Sequence, residues 1–219
     1  MKHRAPETLT VEDLRRGHEE YVKHEPRDAM YRVATFLVKH FWRNPSEGID
    51  IADSLGVLLL TWNAGFYRYG SLDFDSLKKC IDNNLETIEG FKKRDIKTLN
   101  QSDETVVKEL FNAFLSALRI TKYKNGQEAQ SPVSAAKALH ILAPDFFPLW
   151  DGRIAKAYRC YWYSPDRGAL KYWQFMLRMK KIVESLQGQQ DEIKALSGRP
   201  VLKLIDEYNY SRFSKDWLR

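Results

Sequence analysis

Apolar and polar positions alternate at helical spacing along almost the whole chain. Thr10-Val11-Glu12-Asp13 reads as a capping box that opens a charged helix running to about His24. Asp28 can cap a second helix, Met30 to Trp42, whose apolar residues Val33, Phe36, Leu37 and Phe41 share one face. A third runs from about Ile49 through Leu60, and its unbroken Val57-Leu58-Leu59-Leu60 predicts burial on most sides at the centre of the fold. Asp73 caps a short helix ending near Asn83-Asn84, and another follows to Arg94. Ser102 caps a strongly periodic helix, with Val106, Leu110, Phe114 and Leu118 spaced by four.

The polar stretch Tyr123-Lys124-Asn125-Gly126-Gln127 is the one clear hinge. Ser131-Pro132 then supplies an N-cap and a proline at the first helical turn, so a helix runs from there to Leu142. Ala143-Pro144-Asp145 breaks it, and the apolar connector Phe146-Phe147-Pro148-Leu149-Trp150 leads to Asp151, which can cap the next helix. Ser164-Pro165 starts a long helix to about Gln187. Two short C-terminal helices follow, set off by Gly188-Gln189-Gln190 and Gly198-Arg199-Pro200. No run alternates well enough for a sheet, and no internal repeat is visible. The expected fold is all-α: one domain over residues 1–219, a compact bundle of about ten helices, open to division into lobes 1–125 and 126–219 around a cleft.

Composition agrees with a packed domain. Of 219 residues 43% are hydrophobic, enough for a core and too many for a disordered chain. The longest aliphatic run, four residues, is far short of the roughly 20 that span a membrane. The charged start, Met1-Lys2-His3-Arg4, argues against a secretory leader. Cys80 and Cys160 are the only cysteines, too few for a disulfide framework or a four-cysteine metal cluster. A soluble, cytoplasmic protein with reduced thiols is expected. Charge adds more. The first 150 residues hold 21 basic and 21 acidic side chains, whereas residues 151–219 hold 14 and 8, so the whole net +6 sits in the last third. Such asymmetry suits a polyanion on the C-terminal part, or cations that merely cover a solvated face.

Several chemistries are excluded. There is no phosphate loop, no dinucleotide fingerprint and no Gly-x-Ser-x-Gly elbow. His3, His18, His24, His40 and His140 lack ligand spacing, so neither metal nor cofactor is expected. Any catalysis must come from carboxylates and lysines. Lys137, on a helix with small residues Ser134, Ala135 and Ala136, is followed 14 residues later by Asp151 at the mouth of a basic helix.

This layout resembles the catalytic core of the helix-hairpin-helix DNA glycosylases, the endonuclease III-like superfamily. The family's Val-Asp-Thr-His-Val-x-Arg-Val is similar to Trp150-Asp151-Gly-Arg-Ile-Ala-Lys-Ala here. Its Leu-Leu-Ser-Ala-Gln-Ala is similar to Leu58-Leu-Leu-Thr-Trp62-Asn63-Ala-Gly upstream. The matched segments keep the family's order and span about residues 50 to 160. Three departures are plain: Gln130 to Ala136 has no glycine where the family's hairpin approaches a DNA phosphate, the 14 residues from Lys137 to Asp151 are somewhat fewer than the family usually shows, and two cysteines cannot hold the iron–sulfur cluster of some members.

The resemblance implies a base-excising enzyme that acts on a damaged or modified nucleotide flipped out of DNA, most simply duplex DNA. Asp151 and Lys137 would be catalytic. Trp62, Asn63, His140 and Trp150 would shape the substrate pocket. Arg153, Lys156 and Arg159, spaced by three on the helix expected after Asp151, can line a track for DNA phosphates. Elementary chemistry permits the pair: a carboxylate stabilises the cationic sugar formed as the base leaves, and a desolvated amine can attack the sugar carbon.

Each residue also has a plain structural reading. Asp151 can be only an N-cap, worth about 1 kcal/mol, and Lys137 a solvated side chain. His140 can be a partly buried helix residue, Trp62 and Trp150 core, and Asn63 a helix C-cap. Arg153, Lys156 and Arg159 can face solvent. Two alternatives follow: a nucleic-acid binder that keeps the scaffold without the chemistry, and a helical protein-interaction module. The latter would dock through Tyr158, Tyr161, Trp162, Tyr163, Tyr172 and Trp173.

Overall fold

The computed structural model describes residues 4–43 and 49–218. Met1, Lys2 and His3 lie outside them, and the reading of the chain's start rests on the sequence. The protein is mainly helical. Its first half runs α1 (Val11–His24), α2 (Ala29–Arg43), α3 (Ile51–Trp62), α4 (Ala64–Tyr67), β1 (Gly70–Leu72), α5 (Phe74–Asn83), α6 (Leu85–Lys92) and α7 (Glu104–Ala117). The second half runs β2 (Ile120–Lys122), β3 (Glu128–Ala129), α8 (Pro132–Leu142), α9 (Gly152–Ala157), α10 (Gly168–Ser185), α11 (Gln190–Ser197) and α12 (Val201–Asn209), closed by a π-helical turn, Tyr210–Ser214. An all-α bundle is therefore correct in class.

Local signals act where expected. The Thr10 hydroxyl accepts from the Asp13 N–H at 3.1 Å while the Asp13 carboxylate accepts from the Thr10 N–H at 3.0 Å, a reciprocal capping box. Ser131 caps α8 with Pro132 at its first position. The long C-terminal helix starts later than Ser164-Pro165 indicates, because Pro165–Arg167 first forms a 3-10 turn. Similarly, a 3-10 turn capped by Asn100 precedes α7.

Three expectations are corrected. First, Tyr123–Gln127 is the turn of a small antiparallel sheet of order β1-β2-β3, with Ser71 opposite Thr121 and Thr121 opposite Glu128. Strands of two or three residues are too short for alternation to register in sequence. Gly70 is required there, since a Cβ would lie 2.4 Å from the Thr121 carbonyl oxygen. Second, α2 buries Tyr31, Ala34 and Val38, leaving Val33 55% and Phe36 66% exposed. The heavy apolar residues of this helix occupy two faces, and packing against α3 and α8 selects the slimmer one. Third, Val57 projects from α3 into solvent, although Leu55, Leu58 and Leu59 are buried.

One continuous cluster of buried residues runs from Ala5 to Tyr208. Its bulk is Phe111, Phe114, Phe146, Phe147, Trp150, Tyr172 and Phe175, all fully buried. Among the described residues no helix is long and apolar enough to cross a membrane.

Candidate functional site

Two turns of chain bring Lys137 and Asp151 together. Asn63, at the C-terminal end of α3, donates to Ser131 Oγ (3.2 Å) and Ser134 Oγ (2.7 Å), which locks the end of α3 onto the start of α8. That lock leaves the Trp62 carbonyl, one of the unpaired acceptors at a helix C-terminus, beside Lys137, whose Nζ donates to it at 2.9 Å. The same ammonium lies 4.7 Å from the centre of the Trp62 ring. Burial pulls Lys137 down to about 8, against the opposing charges of Asp151 and Asp206.

Asp151 is the N-cap of α9. Its Oδ1 accepts from the Arg153 N–H at 2.7 Å and the Ile154 N–H at 2.8 Å, and its Oδ2 accepts from the Ser214 hydroxyl at 2.6 Å. Both side chains line a cleft of about 220 Å³. Its walls are Tyr21 and Glu25 from the end of α1, Asp28, Ala29 and Met30 at the start of α2, and Trp62. Leu149 and Trp150, which precede Asp151 in the chain, line it too, as do Asp206 and Tyr210 from the C-terminal end. Trp150 is 1% exposed and packs on Trp162 at 4.5 Å between ring centres, and its buried indole N–H has no partner among the described residues.

The remaining expected site residues divide. Trp62 and Trp150 line the cleft; Asn63 and His140 do not. His140 is fully buried. Its Nδ1 faces the Phe147 carbonyl at 2.7 Å, an acceptor, so this nitrogen carries the proton, and Nε2 receives the Tyr31 hydroxyl at 3.1 Å. Burial pulls it down to about 3, with the Phe147 hydrogen bond opposing and Lys203 assisting, so it stays neutral. Its work is to pin the connector after α8 to α2.

Arg153 and Lys156 are exposed on α9, the former donating to the Ser214 carbonyl and the latter 4.6 Å from the centre of the Tyr161 ring. Arg159 does not share their helix. The helix ends at Ala157, and Arg159 adopts a left-handed φ of 57° in a separate groove with Arg4, Arg178 and Lys181. The aromatic docking surface is also reduced. Tyr158, Tyr172 and Trp173 are core, and only Tyr163 of the six, at 89%, is fully outward.

Sequence reading missed what lies under the cleft. Lys203, wholly buried on α12, sits 3.4 Å from Asp206, 3.6 Å from Asp28 and 3.5 Å from Glu207. Arg199 joins Asp28 at 2.7 Å and also pairs with Glu207, which accepts from His18 at 2.6 Å. Tyr21 donates to Asp28 at 2.8 Å. Burial works to raise Glu207, yet His18, Lys203 and Arg199 hold it below the ordinary value. Asp206 goes the other way. Burial, reinforced by Asp151 and Glu207, pushes its carboxyl up to about 6 against Lys203. A lysine four residues before Glu207 on an otherwise apolar helix face was the signal in the sequence, but nothing local ties it to residue 28.

The cleft thus holds one amine of lowered basicity among carboxylates, which suits a ligand that develops positive charge rather than a phosphate. No group of three or more His, Cys, Asp or Glu among the described residues could hold a metal ion. The chain matches no family model, no curated protein and no solved structure.

Proposed function

We propose that the cleft receives a nucleotide rotated out of DNA and that Lys137 and Asp151 break its base–sugar bond. The observation that carries this reading is that both side chains, from α8 and from the cap of α9, line one small cleft between Trp62 and Trp150. Its volume is below the roughly 300–1,000 Å³ typical of drug-sized ligands, in keeping with a single heterocycle. Asp151 stabilises the positive charge that grows on the sugar as the bond breaks. Lys137, partly neutral near pH 8, attacks the sugar carbon, and ring opening leaves an imine that water hydrolyses. Backbone phosphates remain outside the acid-rich cleft, on Arg153 and Lys156 and, in the second groove, on Arg159. A cytoplasmic location accords with Cys80 and Cys160 as buried free thiols.

The test uses oligonucleotide duplexes carrying single modified bases, treated with protein and borohydride. A covalent adduct is expected from the wild type and absent from Lys137→Ala. Asp151→Asn is expected to lower base release by about 100-fold or more. A second reading, a binder that retains the scaffold without chemistry, is favoured by one observation. Asp151 already accepts three hydrogen bonds and Lys137 already donates to Trp62, so both have structural work. Duplex binding with neither adduct nor free base would select that reading.

A further inference from the structure

We infer that Asp206 is the proton donor to the departing base, a third catalytic group in the cleft of Lys137 and Asp151. This assignment rests on the excision reading above.

The geometry separates the two carboxylates. Every short contact to Asp151 is from a donor: two backbone N–H groups and the Ser214 hydroxyl already point at its oxygens. Asp206 comes from α12 with a side chain 11% exposed, and the hydrogen bond it accepts from Lys203 Nζ is a long one, 3.4 Å. Lys203 divides its charge among Asp206, Asp28 and Glu207, and the latter two are also held by Arg199. The groups that act on Asp206 are therefore Lys203 and Glu207 on its own helix, Asp151 at the cap of α9 and Lys137 on α8. Tyr21 of α1 and Tyr31 of α2 feel its charge in turn. The balance of burial and neighbouring anions over one shared cation lifts Asp206 to about 6, within reach of neutral solution. Asp206 is therefore a carboxyl of the cleft able to hold a proton and give it up near neutral pH.

In the excision step, the carboxylic acid of Asp206 gives its proton to a ring nitrogen of the base. The bond from that base to the sugar breaks at the same time, and its electron pair passes to the base. The base leaves neutral, the sugar is left cationic against Asp151, and Lys137 or water forms the new bond to the sugar carbon. Asp206 is left as a carboxylate, and the proton that this nucleophile releases passes to solvent.

A base that is already cationic, such as 7-methylguanine or 3-methyladenine, departs neutral without being protonated. The experiment therefore compares single-turnover release from duplexes carrying one of these with duplexes carrying uracil, hypoxanthine or 8-oxoguanine. Asp206→Asn is expected to slow release of the neutral bases by roughly 100-fold or more while leaving the cationic bases within about threefold. In the wild type the ratio of neutral-base to cationic-base rates is expected to fall about tenfold per pH unit above pH 6, as the acid form disappears. The ratio cancels the titration of groups shared by both reactions, and it decides the matter if Asp206→Asn does not fold. An equal loss on both base classes, no loss on either, or a pH-independent ratio overturns the role of Asp206 and leaves excision standing. Release of no base by the wild type overturns the excision reading and this assignment with it.

Discussion

Lys137 carries the cost of its burial. Its folded-state value near 8, lowered by burial, means that the folded protein binds its proton less tightly than the unfolded chain does. Its burial is a penalty at and below pH 8 that fades as pH rises toward the ordinary lysine value of 10.5. Lys137→Met is accordingly expected to stabilise the fold at pH 7 by on the order of 1–2 kcal/mol, after loss of the hydrogen bond to Trp62, with no gain above about pH 10. Urea melts at the two pH values check this. Destabilisation at pH 7 would mean that the bond to Trp62 outweighs desolvation. Asp206 shows the mirror case. Its raised value makes its charge a cost above about pH 6, and that cost is absent below 3.8, where it is protonated in both states. Glu207, held below its ordinary value, contributes stability that is present above about pH 4.5 and lost as pH falls through its folded value.

At the scale of elements, the site depends on how closely α12 approaches α1. Gly17 is the point of contact: a Cβ there would lie 2.6 Å from both Cα and Cβ of Tyr208, and the Gly17 carbonyl accepts from Ser211. The obstacle is backbone, so it cannot swing aside. Gly17→Ala is expected to push the helices apart and destabilise the protein by about 1–3 kcal/mol, read as a lower urea midpoint. Because α12 also carries Lys203 and Asp206, base release is expected to fall with it. The short α9 adds a second dependence. Its cap is Asp151 itself, and the Ser214 turn that follows α12 holds the other carboxylate oxygen, so the cap and the C-terminal turn are tied at one side chain.

For the whole molecule, the question is where the excess positive charge acts. Lys203 and Arg199 are consumed in the network beneath the cleft, while Arg153, Lys156 and Arg159 remain outward. Duplex binding is expected to weaken steeply with salt. Arg153→Glu with Lys156→Glu is expected to flatten the logarithmic slope by about two, one for each phosphate no longer neutralised. An unchanged slope would place the phosphates elsewhere, for example in the groove of Arg4, Arg159, Arg178 and Lys181.

Caps and periodicity join residues three or four apart, and such features are written into adjacent sequence. The Thr10 box, the Ser131-Pro132 start, Asp151 at its helix mouth and the helical class were legible for that reason. Lys137, Asp151, Trp62 and Trp150, which line one cleft, were grouped in the sequence chiefly by the resemblance of their segments to the helix-hairpin-helix glycosylases; periodicity alone supported only the helices that carry them. What the tertiary structure alone decided involves partners far apart in the chain. Examples are Tyr31 on His140, Asp28 on Arg199 and Lys203, and Asp206 facing Asp151. Which apolar face of α2 is buried belongs here too, since two faces were comparably apolar and only the neighbours' shape chose between them. No local rule sets such pairings, because each results from the packing of a single core in which burial raises or lowers a group's charge according to whatever the fold has placed beside it.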